Sequence, residues 1–253
     1  MTSHPSPVSS STATPGVCIA ATASGSGKTT IATGLIAVLA SRMKVAPFKV
    51  GPDYIDPGYH SIASGCVGRN LDSVLCGNDL IGPLYRHGSQ HADIAVVEGV
   101  MGLFDGRISD GAGSTADIAA TLGIPILLIV DARGMSQSVG AVVRGFATAR
   151  SDVRIAGVIL NKVGSDRHAA VCREAVEAEG IPVVGSIPRQ HDIVVPSRHL
   201  GLVTAIEHGE AALKAIQSME KLIEQTCDVD RISALADCSY TGPMWDPTTV
   251  VDK

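Results

Sequence analysis

The run Ala21-Thr22-Ala23-Ser24-Gly25-Ser26-Gly27-Lys28-Thr29-Thr30 carries the most specific chemistry in the chain. Glycines in such a run let backbone N–H groups turn inward and cradle phosphates at the start of a helix. Lys28 then reaches the β- and γ-phosphates of a nucleotide, and the Thr29 hydroxyl ligates Mg²⁺. Ser24, Gly25, Ser26, Gly27, Lys28, Thr29 and Thr30 are therefore expected to hold a phosphate-bearing cofactor. The run departs from the GxxxxGK[ST] pattern at its first glycine, where Thr22 stands.

Three further segments place charged or amide side chains where strands end. Lys49-Val50-Gly51-Pro52-Asp53-Tyr54-Ile55-Asp56-Pro57 offers a lysine and two acids. Asp53 is expected in the Mg²⁺ shell, because magnesium takes a few carboxylates alongside water and phosphate oxygens. Lys49 is expected to neutralise charge on a transferring phosphoryl group. The plainer alternative is an Asp-Pro turn with ordinary turn acids. Asp93 through Gly106 reads as an apolar strand ending in Glu98, a second metal candidate, with Asp105 in a glycine-flanked loop beyond it. Asn161 ends another strand and offers both a donor and an acceptor to an adenine edge, although Asn after a strand is usually a turn residue. Arg189, and the Pro196–Gly201 segment, bring cations that face phosphate, a substrate carboxylate or solvent.

The elements that must position these groups follow from hydrophobic pattern. Apolar runs at Val17–Ala21, Val45–Val50, Ile94–Val97, Ile126–Val130, Ile155–Leu160 and Val183–Ile187 read as strands. Helix-length segments Thr29–Arg42, Ser114–Leu122, Ser138–Arg150, Arg167–Glu179 and Gly209–Gln225 lie among them, and Gly180 stands where a C-cap glycine would. Such alternation predicts an α/β protein of three layers, a P-loop NTPase fold with a mostly parallel sheet and helices on both faces. Ligands then bind beyond the carboxyl ends of the strands. Residues 1–15, with five Ser, three Thr and three Pro, are expected to be a disordered tail. Residues 16–237 are expected to form one P-loop, ATP-binding domain and 238–253 a linker-like tail.

Composition narrows the function classes. The 253 residues carry a formal charge of −5 and eight aromatic residues. A basic nucleic-acid footprint and a stacking platform for single strands are both disfavoured. Mean hydropathy is +0.25, but the apolar run Ile124–Val130 falls far short of the roughly 20 residues that span a bilayer. The surplus apolar character suits buried parallel strands, so no membrane partner is expected. The six cysteines form no CxxC pair, which disfavours a zinc ribbon or dithiol redox site. Reduced thiols and a cytoplasmic location are the expectation.

Taken together, separated blocks resemble the synthetase half of the cobyrinic (or hydrogenobyrinic) acid a,c-diamide synthases, in the dethiobiotin-synthetase-like branch of P-loop proteins. The blocks are SGSGKTT from Ser24, KVGPDYIDPGYH from Lys49, RNLD from Arg69, EGVMGLFDG from Glu98, NKVGS from Asn161 and PSRHLGLV from Pro196. That branch usually lacks the first glycine of the phosphate loop, so Thr22 agrees with it. The resemblance implies ATP- and Mg²⁺-dependent amidation of the a- and c-acetate side chains of a corrin polycarboxylate through an acyl phosphate. It implies Lys28, Lys49, Asp53, Asp56 and Glu98 as catalytic residues and Thr29, Asp53 and Glu98 as metal ligands. Asp56 is the expected substrate- or ammonium-positioning group, with His60, Arg69 and Asp105 also at the substrate.

Relatives of this kind carry a C-terminal class I glutaminase domain. Cys66 with His208-Gly209-Glu210 does not supply one, since Ser64 stands where the nucleophile elbow needs Gly. Nitrogen is therefore expected from a separate glutaminase subunit or domain, or from free ammonia, and a homodimer is compatible with the reading. Two alternatives stand beside it: an amidoligase acting on another tetrapyrrole carboxylate, and a partitioning-type ATPase switch. The switch reading wants a lysine where Ala23 stands.

Overall fold

The computed structural model describes residues 13–189 and 205–249. Among the described residues seven strands form one parallel sheet in the order β3-β2-β4-β1-β5-β6-β7. They are β1 (Gly16–Ala21), β2 (Val45–Val50), β3 (Arg69–Leu71), β4 (Ile94–Glu98), β5 (Ile126–Asp131), β6 (Ile155–Val163) and β7 (Val183–Pro188). The inner strands are buried on both faces, which is why they read as unbroken apolar runs. The fold is the expected three-layer α/β arrangement.

Side chains alternate across the sheet with the two-residue period of a strand. Cys18 and Ala20 of β1 enter one core, with α4 (Ile81–Ser89), α5 (Thr115–Leu122), α6 (Ser138–Thr148) and α7 (Asp166–Glu177). Val17, Ile19 and Ala21 enter the other, with α1 (Lys28–Ala40), α8 (Ala205–Thr226) and α9 (Val229–Ala234). A smaller cluster ties α2 (Asp56–Ser64) to α1 and α8 through Tyr59, Ala37, Ala212 and Ile216. The short α3 (Ser73–Cys76) follows β3 and is capped by Asp72. Because β4 returns between β2 and β1, the loops after β1, β2 and β4 meet at one stretch of the carboxyl edge.

Both ends of the described chain are tied to this body. Residues 1–12 of the expected tail lie outside the described residues, but Ala13 is buried and Thr14 donates to the Ser89 carbonyl at 2.8 Å. The segment expected as linker-like crosses α4 instead of leaving it. Cys238 is buried, the Tyr240 ring lies against Gly82, and the Trp245 amide donates to the Pro83 carbonyl at 3.0 Å. Among the described residues no helix is long and apolar enough to cross a membrane.

Candidate functional site: a phosphate loop facing a buried charge cluster

The loop from Thr22 to Gly27 joins β1 to α1. Four of the described helix starts, those of α3, α5, α7 and α9, are capped by a side chain, as at α5, where Ser114 and Asp117 form a reciprocal capping box. By contrast α1 has no side-chain cap, and Gly27 stands before it with φ 97°. Gly25 also has positive φ, at 74°. This geometry turns amides toward the helix axis and leaves the first-turn donors open to an anion. Lys28 is buried and its ammonium donates to the Met101 carbonyl in the loop after β4.

The second half of the site grows from two neighbouring strands. Lys49 of β2 and Glu98 of β4 are register partners and point to the same face of the sheet. The Lys49 ammonium lies 2.9 Å from Glu98 Oε1 and 2.7 Å from Asp56 Oδ2. The Thr29 hydroxyl donates to Glu98 Oε1 at 2.7 Å and approaches Asp56 Oδ2 at 3.3 Å. From α2, His60 Nε2 reaches within 2.8 Å of Glu98 Oε2, without the alignment of a full hydrogen bond. Glu98 and His60 are both fully buried.

Burial shapes the charges of this cluster. It would raise the Glu98 carboxyl, but the His60 contact and the Lys49 charge outweigh it and hold the group at about 2. For Asp56, burial and repulsion from Glu98 prevail over attraction to Lys49, so its carboxyl titrates above the ordinary range. Lys49 is desolvated yet raised, because Glu98 and Asp56 both favour its cation. Glu98 is thus a fixed anion, with Asp56 the more easily protonated partner.

The expected site residues do not all gather here. Asp53, expected as a metal ligand, turns its Oδ1 to the amides of Ile55 and Asp56 at 2.8 and 2.9 Å, where it anchors the start of α2. Asp56 is the acid that meets Thr29 and Lys49 instead. His60, expected at the substrate, is sealed behind Glu98 and reaches no surface. Arg69, also expected there, turns back to the Val67 carbonyl at 3.0 Å. Asp105 closes its own turn by accepting from the Gly102 amide at 2.9 Å. Ser24 is exposed at the loop's tip, and Thr30 lines a cavity of about 470 Å³ on the far side of the loop.

Asn161 and Arg189 also line that cavity. Asn161, expected to read adenine, donates its amide to the Ser26 carbonyl at 2.8 Å and accepts from the Lys162 N–H at 2.8 Å. Sequence reasoning missed Lys162 and Arg133, which line the same cavity, and Asp131, which pairs with both. A signal existed for one of them: Asp131 ends the apolar run of β5 as Glu98 ends that of β4. The Pro196–Gly201 segment lies outside the described residues.

The donor set suits a magnesium ion at the phosphate end of the loop. Thr29, Glu98 and Asp56 offer hydroxyl and carboxylate oxygens, the hard ligands that Mg²⁺ takes together with phosphate oxygens and water. Among the described residues no three His, Cys, Asp or Glu side chains gather into a cage that would hold an ion unaided.

Fold and site together define a P-loop nucleotide-binding protein. Residues 17–203 match the family described as CobQ/CobB/MinD/ParA nucleotide binding domain, and the chain belongs to that family. It is 55% identical over 241 residues to hydrogenobyrinate a,c-diamide synthase of Mycobacterium tuberculosis (strain ATCC 25618 / H37Rv), covering 93% of this chain and 53% of that protein. Cobyrinate a,c-diamide synthase of Dehalococcoides mccartyi (strain CBDB1) is 47% identical over 225 residues, covering 88% of this chain and 48% of that protein. The chain thus spans about half the length of the curated relatives it matches. Among solved structures it is similar to the MinD cell division protein of Aquifex aeolicus, with a TM-score of 0.49 and 14% identity over 83% of this chain and 97% of that one.

Proposed function

We propose that this chain supplies the ATP- and Mg²⁺-dependent half of a corrin amidation, converting acetate side chains of a hydrogenobyrinate- or cobyrinate-type polycarboxylate to amides. A carboxylate is a poor acyl donor because its leaving group would be oxide. Its oxygen first attacks the γ-phosphorus of ATP and expels ADP, giving an acyl phosphate. Ammonia then attacks the acyl carbon, phosphate leaves, and loss of a proton yields the amide. The nitrogen comes from free ammonia or from a glutaminase domain or subunit.

The protein's part in such a transfer is positioning and charge neutralisation. Lys28 sits on the β- and γ-phosphates from the loop side. Lys49 faces the γ-phosphoryl group from β2, its charge secured by Glu98 and Asp56. Thr29, Glu98 and Asp56 would hold the magnesium ion, which when bound offsets negative charge on the β- and γ-oxygens. Asp53 acts through α2, by fixing where Asp56 points. The observation that carries this reading is the meeting of the open phosphate loop with the Lys49–Glu98–Asp56–Thr29 cluster. The corrin substrate rests on the likeness to proteins named a,c-diamide synthases.

The test is ADP release with ATP and Mg²⁺, with hydrogenobyrinic or cobyrinic acid present or absent, and with ammonia or glutamine as nitrogen source. Corrin-dependent turnover with ammonia, with mono- and diamide products seen by mass spectrometry, is the expected result. Hydrolysis indifferent to the corrin but stimulated by lipid or a protein would refute it in favour of an ATPase switch.

A further inference from the structure

A loop whose amides all turn toward an anion must turn its carbonyls outward, and those carbonyls need donors of their own. The Ser26 carbonyl is met by Asn161 Nδ2 at 2.8 Å. The Gly25 carbonyl, one residue earlier, is met by Lys162 Nζ at 3.1 Å. The same ammonium lies 2.9 Å from Asp131 Oδ2 at the end of β5. Asp131 is itself held at both oxygens by the Arg133 guanidinium, at 2.9 to 3.1 Å. Two adjacent residues of β6 therefore brace two adjacent carbonyls of the phosphate loop.

The backbone at Lys162 points the same way. Its φ is 61°, and only one other residue among the described non-glycine positions, Met101, is positive. A long side chain enters the left-handed region only where its surroundings over-determine it. Here the surroundings are the Asn161 Oδ1 that accepts the Lys162 N–H and the two oxygens that accept its ammonium. Met101 is the residue whose carbonyl receives Lys28. Both positive-φ side-chain positions thus contact the phosphate-loop segment, Met101 at Lys28 and Lys162 at Gly25.

We propose that Lys162, held by Asp131, is a positioning residue that straps the phosphate loop into its anion-binding shape, and so sets affinity for the β-phosphate of the nucleotide. It touches neither phosphate nor reacting carboxylate; it acts through the Gly25 carbonyl. The inference rests on the nucleotide reading of the site above. A competing role exists, because Lys162 also lines the cavity beside the loop, where its stem would meet base or ribose.

Calorimetric titration of the full chain with ADP and with AMP separates these. Loss of a charge-assisted hydrogen bond that shapes the site is worth about tenfold in affinity. Lys162→Met is expected to bind ADP about tenfold more weakly and AMP within about twofold of the unaltered chain, with Lys162→Arg recovering most of the ADP loss. In turnover, KM for ATP rises while kcat and the KM for the carboxylate substrate hold. Retained AMP binding shows that Lys162→Met has folded. Equal losses for ADP and AMP would overturn the strap in favour of a base or ribose contact, and unchanged ADP affinity would overturn it outright. An unaltered chain that binds no ADP would refute the nucleotide reading itself and the strap with it.

Discussion

Replacing Glu98 by Gln keeps shape and removes one buried charge, so its consequence follows from the cluster's electrostatics. In the folded chain the carboxyl is held at about 2, against an ordinary 4.5. A carboxylate lowered by folding contributes stability above its unfolded value and loses it as pH falls through its folded value. The interval corresponds to on the order of 3 kcal/mol at neutral pH. Asp56 returns part of this in the variant, because repulsion from Glu98 raises it now and Lys49 would then serve it alone. Glu98→Gln should therefore cost about 2–3 kcal/mol at pH 7, a fall of roughly 4–12 °C in Tm for a chain this size. By pH 3 the gap between the two proteins should shrink to about half, since the unfolded carboxyl is by then protonated. Urea unfolding of both proteins without nucleotide or Mg²⁺, at pH 7, 5 and 3, measures it. Equal stability at pH 7, or a gap that does not change down to pH 3, would refute the picture of Glu98 as a fixed anion gripped by Lys49 and His60.

Other perturbations probe the loop, the start of α2 and the thiols. A Cβ at Gly27 would meet Asn161 Nδ2 at 2.5 Å with φ already at 97°; Gly27→Ala should cost about 1–3 kcal/mol in thermal unfolding and abolish ADP binding in calorimetry. Asp53→Asn keeps an oxygen for the α2 amides, so its Tm should match the unaltered chain, whereas Asp53→Ala should cost about 1 kcal/mol of stability. If Asp53 matters to turnover only through α2, Asn retains amidation and Ala lowers it; an inactive Asp53→Asn with unchanged Tm would return Asp53 to the metal. Burial pushes the Cys18 thiol up to about 12. Peptide mapping after alkylation at pH 8 should find the exposed Cys66 and Cys76 modified first and Cys18 only after denaturation.

How far the fold is legible depends on what each element buries. The six strands read from sequence are those packed on both faces, and the structure moves their ends by a few residues at most. β3 escaped because it is an edge strand of three residues, of which only Leu71 is buried, so it shows neither run nor alternation. α2 and α4 escaped because they hold Pro57 and Gly58, and Gly82, Pro83 and Gly88, residues that ordinarily end helices. Their glycines serve packing: Gly82 admits the Tyr240 ring and Gly88 the Phe48 ring. The helix read from Gly209 onward is Ala205–Thr226, interrupted at Gly209 itself by φ 46° and ψ −113°. Composition tells where chain can be buried; it does not tell which glycine was chosen to let a neighbour close.

The site divides along the same line. The phosphate loop is legible because its function is a property of local backbone, fixed by spacing alone, and Glu98 because an acid that ends a buried strand has few uses. The choice between Asp53 and Asp56 is not legible in that way. Both stand in one Asp-Pro-rich segment, and the decision comes from where α2 begins. Once Asp56 opens a helix, Asp53 precedes it and is drawn to the free amides, while Asp56 and His60 fall four residues apart on one face. That face is turned to Glu98, so His60 belongs to the carboxylate's back side and not to a substrate. The i, i+4 pair is visible in the sequence to a reader who already has the helix. Lys162 and Asp131 needed still more, since their meeting depends on β5 and β6 being neighbours in register, with Asp131 paired to Asn161. Residues that touch a ligand announce themselves by type. Residues that hold those residues are found through the topology, and in this chain the topology hangs on the short, polar and glycine-bearing pieces that hydrophobic pattern reads least well.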